Sequence, residues 1–117
     1  MSLESDVFDA LKGLVANRCY PDVAPASAVK PYIVWQQVGG AATNFLEGTM
    51  PSLRNARIQV ACWATTRVAA AALARSAEAA MVTSTTLRAF VLGAMTADYE
   101  EDTQLYGTRQ DFSISYD

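Results

Sequence analysis

The chain has 117 residues, 51% of them apolar and 18% charged, with a formal net charge of −3. That length supports one folded domain, residues 1–117, with a modest core. The acidic balance gives no electrostatic case for nucleic-acid binding, and the absence of histidine removes the commonest general base and zinc ligand. No apolar run approaches the ~20 residues of a membrane span. The polar, acidic start Met1–Asp6 is unlike a signal peptide, so an intracellular product is expected.

Leu3 to Asn17 is predicted as the first helix, because Leu3, Val7, Leu11, Leu14 and Val15 fall on one stripe at helical spacing. Ser2 or Ser5 is its candidate cap, and Glu4, Asp6 and Asp9 precede Lys12 and Arg18, the order the helix dipole favours. Pro21, Pro25 and Pro31 then forbid a long element, leaving room for a short strand at Arg18-Cys19-Tyr20. Tyr32–Val38 is β-branched and aromatic, and Gly39-Gly40 ends it: a strand. Gly39 to Ser52 reads as a long hairpin loop with ragged strand ends.

Leu53 opens the next strand, whose stretch Arg57–Ala64 alternates. Ile58, Val60 and Cys62 point one way, Arg57, Gln59, Ala61 and Trp63 the other. Thr65 or Thr66 can cap an alanine-rich helix over about Arg67–Val82, with Leu73, Ala77, Ala80 and Met81 as its stripe and Val68, Ala69 and Ala72 broadening it. After the polar turn Thr83–Thr86, Leu87–Tyr99 reads as a strand bent or bulged at Gly93, with helix over 87–92 as the alternative. Glu100–Thr103 makes an acidic turn, and Arg109–Tyr116 is a last strand with Phe112, Ile114 and Tyr116 facing in. The order implies an α+β two-layer sandwich: a mainly antiparallel sheet with two helices packed on one face.

Catalytic signatures are missing. The Ser, Thr and Cys side chains have no histidine to activate them, and Gly39-Gly40 lacks the frame of a phosphate loop. The cluster Asp98, Glu100, Glu101 and Asp102 lacks the spaced carboxylates and glycine of a calcium loop, so a solvated turn explains it better. No catalytic residue, metal ligand or cofactor is therefore expected. Cys19 and Cys62 have no CxxC spacing; free thiols are favoured, with a disulfide between them left open.

Two features point to contacts with other proteins. From Val23 to Ala97 the bases Lys30, Arg54, Arg57, Arg67, Arg75 and Arg88 face only Glu47 and Glu78, while most acids lie at the chain ends. Such separation suits head-to-tail association, although the charges can equally interleave on the folded surface. In addition, Trp35 and Trp63 are expected on the sheet face opposite Val34, Val38, Ile58 and Val60. There they would share a contact surface with Gln37, Arg57 and Gln59. The alternative is that a loop or the helices cover the tryptophans.

Several passages together resemble a known family. They are the amphipathic first helix, Arg-Cys-Tyr-Pro-Asp-Val-Ala-Pro, Lys-Pro-Tyr-Ile-Val-Trp-Gln-Gln-Val, Arg-Ile-Gln-Val-Ala-Cys-Trp-Ala-Thr running into a helix, and the ending from Tyr99 to Tyr116. The chain is similar to the small phage and prophage proteins related to tail-completion, or tail-terminator, proteins of long-tailed phages. The resemblance implies a non-enzymatic subunit without cofactor that forms a homo-oligomeric ring, a hexamer, on the tail tube. Such a ring ends tube growth, docks to the head connector and lets DNA pass without specific binding. It would assemble in the bacterial host cytoplasm and end in the virion tail. On this view Trp35, Gln37, Arg57, Gln59 and Trp63 belong to a ring interface. Phe45, Leu46 and Glu47, with Glu100, Glu101 and Asp102, would make axial contacts to tube or connector. A different class remains beside it: a small intracellular protein-binding module that uses the open sheet face.

Overall fold

The computed structural model describes residues 2–42 and 54–116. Helix α1 spans Leu3–Leu11 and buries Leu3, Val7 and Leu11. Ser2 caps it in a reciprocal box: its Oγ accepts from the Ser5 N–H at 3.1 Å, and the Ser5 Oγ accepts from the Ser2 N–H at 3.1 Å. The helix stops short of the predicted Asn17. A single 3₁₀ turn, Lys12–Leu14, follows it, and Ala16 and Asn17 then take φ of 48° and 68°. The Asn17 N–H reaches back to the Lys12 carbonyl at 2.9 Å, a left-handed ending that asparagine tolerates better than most residues.

Strands β1 (Cys19–Pro21), β2 (Tyr32–Gln37) and β3 (Arg54–Ala64) precede helix α2 (Arg67–Thr83). Strands β4 (Phe90–Val91), β5 (Thr96–Glu100) and β6 (Leu105–Tyr116) complete the order. The sheet runs β1-β2-β3-β6-β4, with β5 pairing the first half of β6 on the same edge as β4; only β1–β2 is parallel. Thr66 caps α2 through the Ala69 N–H at 3.1 Å. The buried stripe of α2 is Ala70, Ala74, Ala77 and Met81, with Leu73 and Ala80 at its margin and Val68 exposed. Three alanines in that stripe let the helix axis approach the sheet closely. Both helices lie over one side, on a core of Ile33, Ile58, Val60, Phe112 and Ile114. The α+β two-layer arrangement follows.

The predicted strand Leu87–Tyr99 is two strands with a break between them. Leu87 and Arg88 instead belong to a turn closed by the Ser84 oxygens: the Leu87 N–H donates to Oγ at 3.2 Å and the Arg88 N–H to the carbonyl at 3.0 Å. Helix does not form there either. The break at Gly93 has a physical cause in a buried glutamine. Gln110 Nε2 donates to the Gly93 carbonyl at 2.9 Å and to Glu78 Oε1 at 2.6 Å, so that carbonyl turns inward instead of extending the ladder. The final strand begins earlier than Arg109, because Leu105–Thr108 also pair with β5 and with the end of β3. Tyr106, Gly107 and Thr108 hide that strand from an apolar alternation. The outer strands are short: β1, ending in Pro21, lies at one edge, and β4 and β5 share the other.

Candidate functional site

Interstrand register settles which side chains share a face. Val60 pairs with Trp35, Ala61 with Val34 and Trp63 with Tyr32. Trp35 therefore lies on the helix side, 5% exposed, within the core. Gln37 pairs with Ile58 and sits at the helix-side end of its strand, its Nε2 3.4 Å from the Gly39 carbonyl. The expectation that Trp35 and Gln37 join Arg57, Gln59 and Trp63 on one surface is corrected: only the latter three share the reverse, helix-free face. Val34, expected inward, is on that reverse face too. Strand β2 carries apolar residues on both sides, so its own alternation could not say which side the helices cover.

Trp63 is on the reverse face but is not open to solvent, at 9% exposure. Its ring packs on Gly107, directly opposite in register. Both indoles are thus buried within one subunit, and a tryptophan-paved contact surface is absent from the described residues.

A groove remains on that face. Tyr32, Val34, Ala61 and Trp63 form its floor, the segment Asp22–Ala26 one wall, and Glu100 and Thr103 of the β5–β6 hairpin the other; its volume is about 380 Å³. Proline and the short parallel strand β1 bring the first wall into place: the Asp22 N–H donates to the Trp35 carbonyl at 2.8 Å. Charges distant in sequence interleave here. Arg57 pairs with Asp111 at 2.6 Å, and Arg109, on the groove lining, pairs with Asp98 at 2.9 Å. Glu100 accepts from the Thr103 hydroxyl at 2.9 Å. Burial raises the pKa of the Tyr32 hydroxyl, with the Glu100 charge and Tyr20 adding to the effect. Arg67 anchors the hairpin from α2: it donates to the Gly107 carbonyl at 2.7 Å and the Asp98 carbonyl at 2.5 Å, with its guanidinium 5.3 Å from the Tyr106 ring centre.

Of the expected axial residues, Glu100, Glu101 and Asp102 are exposed at the hairpin tip. Phe45, Leu46 and Glu47 lie outside the described residues. A further surface was not foreseen. Phe90, Val91 and Leu92 are 74%, 41% and 50% exposed on the β4 edge, beside a hollow of about 510 Å³ bounded by Val82, Thr85 and Arg88. In sequence these residues look like core, and nothing in their pattern distinguishes an edge from an interior strand. Cys19 and Cys62 are free, buried thiols. Among the described residues there is no cluster of three metal-ligating side chains, and no helix is long and apolar enough to cross a membrane.

No curated protein matches the chain in sequence. Among solved structures, a chain from the virion of a native gene transfer agent particle superposes with a TM-score of 0.62 at 18% identity, over 97% of this chain and 93% of that one. At that identity the likeness concerns the fold. A family model described as tail completion protein gp17 matches residues 6–117. The chain belongs to that tail completion family, a structural component of a phage-type tail.

Proposed function

We propose that the protein is a subunit of a closed ring that ends the tail tube and docks to the head connector. The match to the tail completion family across residues 6–117 carries this reading. The fold shared with a chain of a gene transfer agent virion supports it. The surface is compatible with it as well: the outer strands β1, β4 and β5 have three, two and five residues, which favours association through side-chain patches over strand addition. The subunit has two separate ones, the groove and the Phe90 edge. A closed ring requires that each copy present two different complementary surfaces. The exposed residues Glu101 and Asp102 at the hairpin tip then make axial contacts, and DNA passes without being gripped, since an acidic subunit does not attract phosphate. The role is structural and non-enzymatic, with assembly in the host cytoplasm before incorporation into the tail. Sedimentation and negative-stain microscopy of the protein with its tube protein test this: six-fold rings on tube ends are expected. A protein that stays monomeric with tube protein present overturns the reading.

A further inference from the structure

Three observations meet in one contact. First, the reverse-face groove is lined by Tyr32, Val34, Ala61 and Trp63 together with Gln36, Gln59 and Arg109, and no element among the described residues occupies it. Second, Phe90, the largest exposed aliphatic or phenyl side chain among the described residues, stands on β4, across β3 and β6 from β2. Three strand spacings separate β2 from β4, about 14 Å. Phe90 is not among the residues that line the groove of its own chain. Third, charges of opposite sign that make no ion pair among the described residues stand at these two places. Arg57 and Arg109 are committed to Asp111 and Asp98. Asp22 and Glu100, at the groove, and Arg88, exposed beside Phe90, make no ion pair among the described residues.

We propose that the Phe90 edge of one copy seats in the reverse-face groove of the next, with Arg88 facing Glu100 and Asp22. This deepens the ring reading and rests on it, because a head-to-tail contact repeats around a closed ring. The phenyl ring supplies a compact apolar anchor; an aromatic side chain buries about 150–250 Å² when fully enclosed. The acidic rim against Arg88 sets orientation and excludes a like-charged approach. Leu92, two residues on, widens the apolar contact around the anchor.

The test uses the full chain carrying Phe90→Cys and Thr103→Cys together, oxidised under assembling conditions. A covalent ladder that climbs past the dimer to the copy number of the ring is expected, and mixing the two single variants should give dimers only. A ladder that stops at the dimer for the double variant makes the contact two-fold and overturns the head-to-tail form. No ladder from rings that sedimentation finds intact places the interface elsewhere; it overturns this contact and leaves the ring reading standing. Charge exchange provides the second arm. Arg88→Glu and Glu100→Arg should each weaken self-association by about tenfold or more, and the double exchange should recover most of that loss. Both positions are exposed, so circular dichroism should show an unchanged fold. Failure of the double exchange to recover assembly overturns the pairing of Arg88 with Glu100.

Discussion

Trp63 and Gly107 face each other in register on adjacent strands, and a Cβ at position 107 would stand 2.5 Å from Trp63 Cζ3. The glycine is what lets a strand pass beneath an indole. Gly107→Ala must push the ring or the β5–β6 hairpin outward, and overpacking of this kind costs about 1–3 kcal/mol. A urea midpoint lowered accordingly, with a changed tryptophan emission maximum, is the expected outcome. An unchanged midpoint would mean that the ring moves aside freely.

Trp35 tests the corrected placement. It is buried on the helix side, and its Nε1 has no hydrogen-bond partner among the described residues. Trp35→Ala should cost about 3–5 kcal/mol, the range for emptying an aromatic core site. Trp35→Phe removes the unpaired donor while losing some packing, so it should cost no more than about 1–2 kcal/mol. Ring formation should survive Trp35→Phe, since this residue lies in the core rather than on the contact face.

Arg67 joins α2 to the hairpin that carries the acidic tip. Lysine keeps the charge but cannot fork to two carbonyls while lying against Tyr106. Arg67→Lys should cost about 1–2 kcal/mol. Its more specific signature is faster amide exchange confined to β5 and the start of β6, read by hydrogen–deuterium exchange. Exchange that rises evenly over the whole chain would argue against a local anchor.

The cysteines make an alkaline prediction. Ile33 pairs with Cys19 on one side and Cys62 on the other, so the two thiols flank β2 at two strand spacings, about 9.5 Å, beyond the reach of a disulfide. Burial pushes each thiol pKa up from 9.0 to about 12. The folded state therefore keeps protons that the unfolded chain releases above pH 9. Their contribution to stability is complete below that pH and declines as the pH rises from about 9 toward 12. A Cys19→Ala, Cys62→Ala variant should show a shallower loss of stability in that window. In the native protein neither thiol should react with an aromatic disulfide reagent at neutral pH, and both should react in denaturant.

What local pattern could determine, it did. The spacing of Leu3, Val7 and Leu11 marked a helix, Thr65-Thr66 marked the start of a second, and Ile58, Val60, Phe112 and Ile114 identified inward faces. These are properties of a few consecutive residues, and period and capping chemistry express them directly. Tertiary structure alone decided which side of β2 meets the helices, because both its faces are apolar and only the register with β3 chooses between them. It alone buried Trp63 over a glycine forty-four positions away, and broke the predicted strand Leu87–Tyr99 so that the Gly93 carbonyl could satisfy Gln110. It also turned Phe90 outward on an edge, where the same apolar letters no longer mean core. A strand's alternation defines two faces; only its neighbours say which of them is inside.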